Sequence, residues 1–239
     1  MEKKSNIGLI LLHGAGLGAW IWDDLGASLG YPYLAVDLPG RGKHADISTT
    51  DLTLEQYAES VLLDINKIHY KKLMIVAHSI SGIIGLEVAD KLQDRVIGFA
   101  AIGAAIPLNN ASYLSCLPFV SGVFLRMMLH FAGTRPPASV IKQGLCHDLD
   151  DKITSKIIDN FTPESKRLYT DKIRIQKMPN HSLYLSLKKD QALNAAIQSN
   201  MIHNLHAKQV VDIDSGHLPM LSNSKELAEK LNAFASSLI

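Results

Sequence analysis

A single serine interrupts the apolar stretch "LMIVAHSISGIIG", and a serine hydroxyl does chemistry only with help. It is a weak nucleophile near neutral pH. It needs a base to take its proton, an acid to orient that base, and N–H donors for the oxyanion that forms on the carbonyl it attacks. Leu73 to Ala77 reads as a buried strand and Ser81 to Leu92 has helical spacing, so Ser79 falls where a strand turns into a helix. Such a turn, made within two or three residues, strains the central residue and leaves room only for small neighbours, here Ala77, Ser81, Gly82 and Gly85. The usual nucleophile pattern is G-x-S-x-G. Both glycines are replaced in Ala77-His78-Ser79-Ile80-Ser81, with Gly82 one step later. A helix N-cap serine has the same local appearance, so the other three groups must decide.

Of the ten histidines, His217 in "VVDIDSGHLPM" stands in the short loop between the last strand and the final helix, where a base for Ser79 would be placed. His13 follows the first strand, His78 precedes the serine, and the other seven fall in helices or irregular segments. His203 and His206 have helical spacing but no accompanying carboxylate or cysteine set, which gives no metal site. For the orienting acid, "SLYLSLKKDQAL" places Asp190 just beyond the fifth strand. Asp212 and Asp214, flanking the end of the sixth strand, compete. The order Ser, Asp, His and an approach to the imidazole from its far side favour Asp190. Backbone N–H groups of Ile80 and of Ala15, in the small-residue loop of "LLHGAGLGAW", are the candidate oxyanion donors. That loop has neither a G-x-G-x-x-G fingerprint nor a G-K-[ST] ending, so it does not read as a phosphate cradle.

Six short apolar runs alternate with amphipathic stretches: Ile7 to Leu12, Tyr33 to Val36, Leu73 to Ala77, Val96 to Ile102, Ser182 to Leu187 and Gln209 to Ile213. They predict an α/β fold with a mostly parallel sheet of about six strands flanked by helices. Thr53 and Gln56 form a capping box for a helix whose inner face is Leu54, Tyr57, Ala58, Val61, Ile65 and Ile68. Asn223 and Glu226 occupy capping positions for a last helix over about Ser224 to Leu238. Between about Ala104 and Asn180 the rhythm breaks, which divides the chain into a core of residues 1–104 and 181–239 and a helical cap of residues 105–180. In that cap "YLSCLPFVSGVFLRMMLHFAG" is too broken by Pro118 and Gly122 to be one helix. Most of its apolar residues are expected to pack the cap onto the sheet. Leu117, Phe124 and Met128, with His13, Gly14 and Leu218 from the core loops, are candidates to line an apolar pocket above Ser79.

The chain has 239 residues, 47% of them hydrophobic, and 24 basic against 23 acidic residues give a net charge of +1. That size supports a substantial core, and that charge offers nothing to a nucleic acid or an anionic membrane. Met1-Glu2-Lys3-Lys4 followed by "IGLILL" has the outline of a signal peptide. The apolar run is too short, however, and leads straight into His13-Gly14, so it reads as the first strand. No segment approaches the roughly 18 apolar residues of a membrane span. Two cysteines, Cys116 and Cys146, form no framework and point to a reducing cytoplasm.

"LLHGAGLGAW" followed by "VDLPGRG", then "VAHSISG", "SLKKDQAL" and "DSGHLPMLSNSKELAEKL" occur in the order and spacing of one family. Nearly the whole chain resembles the α/β-hydrolase superfamily, and within it the small-cap serine esterases that include plant methylesterases and bacterial carboxylesterases, relatives of the hydroxynitrile lyases. The resemblance implies Ser79 as nucleophile, His217 as general base and acid, Asp190 as orienter, and Ala15 and Ile80 as oxyanion donors. It implies hydrolysis of a small to medium, uncharged, lipophilic carboxylic ester through an acyl-enzyme, with no cofactor. The related lyases carry a lysine directly after the catalytic histidine, where this chain has Leu218. A small-molecule receptor built on the same fold is a further alternative, and thioesterase, lactonase and acyltransferase reactions share the mechanism.

Overall fold

The computed structural model describes residues 7–239; the basic start Met1 to Lys4 lies outside them. All six expected strands form: β1 Ile7–Leu12, β2 Tyr33–Val36, β3 Lys72–His78, β4 Val96–Ile102, β5 Ser182–Leu187 and β6 Gln209–Ile213. They make one sheet in the order β2-β1-β3-β4-β5-β6, and every neighbouring pair is parallel. The inner strands are apolar apart from Lys72 and His78 at the ends of β3 and Ser182 and Ser186 in β5, because both faces of the sheet are covered there.

Successive side chains alternate between those faces. Leu9, Leu11, Met74, Val76, Ala100 and Ile102 pack with Trp22, Leu227, Leu231 and Phe234 on one side. Ile10, Leu12, Ile75, Ala77, Phe99 and Ala101 pack with Tyr57, Val61, Ile84 and Val88 on the other. The result is three layers, helix on sheet on helix.

The helix Leu54–Ile65 starts with the expected capping box: Thr53 Oγ1 accepts from Gln56 N–H at 3.0 Å, and Gln56 Oε1 accepts from Thr53 N–H at 2.9 Å. It ends at Ile65, so Ile68 packs against the core from the following turn. The last helix runs Ser224–Ser236 and buries Leu227, Leu231 and Phe234, but Asn223 does not cap it through its side chain. The Asn223 amide N–H donates to the Glu226 carboxylate, and the Asn223 backbone, at φ −144° and ψ 47°, is not in the extended conformation of a capping residue.

Between β4 and β5 the chain inserts helices Phe119–Ala132, Ala138–Leu145 and Asp151–Asp159, with short turns at Tyr113–Cys116 and Arg167–Thr170. The expected break at Gly122 is absent. The chain breaks at Leu117 and Pro118, and the helix then runs through Gly122, where a Cβ would stand only 3.0 Å from the Leu114 carbonyl oxygen. Glycine is there for close approach, not for termination. The insertion feeds both cores, with Leu114, Leu129, Leu168 and Ile173 on one side and Ile141, Ile157 and Phe161 on the other.

The capping box makes a simple test of the helix assignment. Thr53→Ala should cost about 1 kcal/mol, read as a fall in Tm of roughly 2–4 °C for a chain of this size. An unchanged Tm would contradict the capping geometry.

Candidate active site

The strand order reverses between β1 and β3, and in such a sheet the crevice at the carboxyl ends of those strands is where side chains of different segments meet. Ser79 leaves β3 there with φ +56°, in the left-handed region that non-glycine residues seldom occupy. Its N–H stays bound to the Ile102 carbonyl at 3.2 Å, while its own carbonyl accepts from Gly82 and Ala105 N–H groups at 3.1 and 2.9 Å. At Gly82 any side chain would collide with the Ala105 backbone. Ala77 packs toward Gly85, and the Ser81 hydroxyl donates to the His13 carbonyl, so the two replaced glycines are accommodated and one of them ties the elbow to the loop after β1.

The Ser79 hydroxyl is not a helix cap. The residue at the N-cap of the Ser81–Leu92 helix is Ile80, with no side-chain cap bond, and Ser79 Oγ lies 2.9 Å from His217 Nε2. His217 Nδ1 lies 2.7 Å from Asp190 Oδ2. A carboxylate only accepts, so Nδ1 carries the proton and Nε2 presents its lone pair to the serine. The other Asp190 oxygen accepts from the N–H groups of Ala192 and Leu193 at 2.7 and 2.9 Å, which fixes the carboxylate before any substrate arrives. The side chains of His217 and Asp190 are 2% and 0% exposed, whereas Ser79 is only partly covered and can be reached. Asp212 and Asp214 point to solvent and pair with Lys188 and Lys189, which removes both as competitors for the histidine.

Four supporting groups had no visible spacing in the sequence. The His78 ring, fully buried, donates Nε2–H to the His217 carbonyl at 2.8 Å, and burial beside His217 holds its pKa well below the usual imidazole value. Asp148, in the insertion, accepts from Gly216 N–H at 2.6 Å, one residue before the base. Arg41 and Glu164 form a buried pair across 123 residues of chain. Only contact in the folded state reveals such groups.

His13 and Leu218 are both fully buried and offer no surface to a ligand, so their expected pocket role is replaced by a structural one. Leu218 belongs to the core beside Met220 and Ile213. His13 Nδ1–H donates to the Gly14 carbonyl at 2.8 Å, and Nε2 accepts from Leu38 N–H at 3.2 Å. Burial, reinforced by the nearby Arg41 charge, lowers its pKa to about 3. Gly14 lies against the nucleophile, where an added Cβ would stand 2.9 Å from Ser79 Cβ. Leu117 and Met128 are half-buried in the insertion. Phe124 is 58% exposed and shares with Phe119, Val123 and Met127 a stripe of its helix that faces solvent. Among the described residues no group of three or more histidine, cysteine or acidic side chains gathers in a way that could hold a metal ion.

Residues 9–230 match the model of a family described as the alpha/beta hydrolase family. The chain belongs to the alpha/beta hydrolase family. Among similar members, a carbendazim hydrolyzing esterase of Nocardioides sp. (strain SG-4G) is 24% identical, over 94% of this chain and 98% of that one. Methylesterase 7 of Arabidopsis thaliana is also 24% identical, over 97% of both chains. The alpha/beta hydrolase fold itself superposes on an extracellular alpha/beta-hydrolase from a Paenibacillus species with a TM-score of 0.84 at 19% identity, covering 94% of this chain and 97% of that one. An Arabidopsis methylesterase gives 0.78 at 21% identity, over 98% and 100% of the two chains.

The buried neutral His13 makes stability depend on pH. Its folded pKa lies below the unfolded value, so the unfolded chain binds more protons between pH 6.5 and about 3. Stability is therefore present above pH 6.5 and lost as pH falls through that window. His13→Gln should flatten the pH dependence of the urea unfolding free energy there by about one proton; an unchanged slope would contradict the burial of a neutral imidazole.

Proposed function

We infer that this alpha/beta hydrolase is a serine carboxylesterase for small to medium, uncharged, lipophilic esters. One observation carries the reading: the unbroken relay from Ser79 Oγ to His217 to Asp190, with the proton placed so that Nε2 can act as base. Ser79 attacks the ester carbonyl carbon as His217 takes the hydroxyl proton. The C–O bond to the alcohol then breaks, and His217 returns that proton to the leaving oxygen. Water attacks the resulting acyl-enzyme by the same route, releasing the acid and restoring Ser79. Asp190 stays ionised throughout and stabilises the imidazolium. No step needs a metal or an organic cofactor.

The oxyanion donors in this reading are the N–H groups of Ala15 and Ile80, neither of which meets an acceptor among the described residues. The peptide before Ala15 is held by its carbonyl, since Gly14 O accepts from His13 Nδ1 at 2.8 Å and from Leu17 N–H at 3.3 Å. A peptide's N–H points opposite to its C=O, so anchoring the carbonyl aims the Ala15 N–H away from those two partners. The apolar insertion supports a lipophilic substrate, as do relatives named for ester hydrolysis. The lyase alternative lacks its lysine, since position 218 is a buried leucine.

Turnover of a panel of p-nitrophenyl, methyl and aryl esters, thioesters and lactones tests the reading and separates an enzyme from a receptor, which would stall near one equivalent. Ser79→Ala and His217→Ala should each lower kcat by at least about a thousandfold with the fold retained by circular dichroism. Either variant keeping more than a tenth of the wild-type rate would contradict the mechanism. Asp190→Asn should lose far more than Asp212→Asn or Asp214→Asn at one pH, and equal losses would remove Asp190 from the relay.

A further inference from the structure

The turn after β1 is not held by the core alone. Glu164, contributed by the insertion, has a side chain with no solvent exposure, and both of its oxygens are bound twice. Oε1 accepts from Arg41 Nη1 at 2.6 Å and from Gly16 N–H at 3.0 Å. Oε2 accepts from Arg41 Nη2 at 2.8 Å and from the Tyr57 hydroxyl at 2.9 Å. Arg41 is equally saturated, donating Nη1 to the Leu17 carbonyl at 2.9 Å and Nε and Nη2 to the Pro39 carbonyl at 3.2 and 3.1 Å. The pair thus grips Gly16 by its N–H and Leu17 by its carbonyl.

The same stretch of insertion grips Gly16 from two further directions. Thr162 N–H donates to the Gly16 carbonyl at 3.1 Å, and the Phe161 ring fills the space where a side chain of residue 16 would stand. Gly16 itself adopts φ +77°. A buried ion pair adds little to stability compared with apolar packing of the same volume, because both ions must be stripped of water. What this pair supplies is geometry for two consecutive residues adjoining Ala15.

We propose that Glu164 is a positioning residue for the oxyanion turn: its carboxylate fixes Gly16 so that the Ala15 N–H faces the ester oxygen above Ser79. The proposal rests on the esterase reading. It makes the donor geometry of the core depend on a side chain of the insertion, and it assigns Glu164 no contact with substrate.

Two double variants, both made in a Tyr57→Phe background so that the Tyr57 hydroxyl bond to Glu164 is absent from each, isolate the bond to Gly16. Arg41→Met with Glu164→Gln removes both charges but leaves an amide oxygen that can accept from Gly16 N–H. Arg41→Met with Glu164→Leu removes the charges and the acceptor. Neither leaves an unpaired buried ion, and both lose the Arg41 bond to Leu17 equally. The leucine double should show a kcat about 30-fold or more below the glutamine double, part of the roughly 10²–10³ that loss of a whole oxyanion donor costs. The KM values should agree within about threefold, and affinity for an aryl trifluoromethyl ketone, which forms a tetrahedral adduct on serine, should fall by the same factor as kcat. Equal kcat values, or a loss carried by KM with ketone affinity unchanged, would overturn the proposal. Should the leucine double fail to fold, Arg41→Met with Glu164→Met in the same background, closer in shape to the native side chain, decides: a kcat about 30-fold below the glutamine double at similar KM supports the proposal, and equal kcat values overturn it. Wild-type protein that turned over none of the esters would sink the esterase reading, and this inference with it, before any double was compared.

Discussion

Ser79 is held at φ +56° between the end of β3 and the first turn of the Ser81–Leu92 helix, a conformation that costs a non-glycine residue about 1–3 kcal/mol. Its surroundings over-determine that conformation. The N–H is still in the sheet on Ile102, the carbonyl is held by two N–H groups, Gly82 admits the Ala105 backbone, and Gly14 lets the neighbouring loop close on Ser79 Cβ. The strain has a function: it lifts Oγ out of the strand line to where a histidine from the end of β6 can meet it.

The base is placed with similar redundancy. Asp190 reaches His217 through Nδ1, His78 holds the His217 carbonyl from beneath, and Asp148 holds the preceding Gly216 from the insertion. Because burial keeps His78 neutral, no second positive charge forms beneath the imidazolium during the reaction. The insertion is therefore more than a cover. Through Asp148 it touches the loop of the base, and through Thr162 and Glu164 it touches the turn after β1.

The sheet and the triad were legible in the sequence for physical reasons that the remainder lacks. All six strands stand in the expected runs, the inner ones because a parallel sheet covered on both faces demands continuous apolar segments. The triad follows from where those strands end, since only residues just past a carboxyl end can meet in the crevice. Gly122 misled because glycine marks close approach as well as termination, and only the nearby Leu114 carbonyl distinguishes the two. Asn223 does not cap because its backbone lies outside the extended conformation a capping residue takes, which its residue type does not reveal. His13 and Leu218 were placed correctly along the chain but lie too deep to touch a ligand, a matter of burial that loop position does not encode. Glu164 and Asp148 had no signal, and Arg41, though part of "VDLPGRG", had none for its partner, because the groups they meet are distant in the chain and no local periodicity records them.

A fluorophosphonate probe tests whether Ser79 is an activated nucleophile without any knowledge of the natural ester. Peptide mass spectrometry of treated wild-type protein should find one adduct, on Ser79, and His217→Ala should form it far more slowly because the proton acceptor is gone. Labelling only at other residues, or none in folded protein, would contradict the account and leave Ser79 as an ordinary residue in a tight strand-to-helix turn.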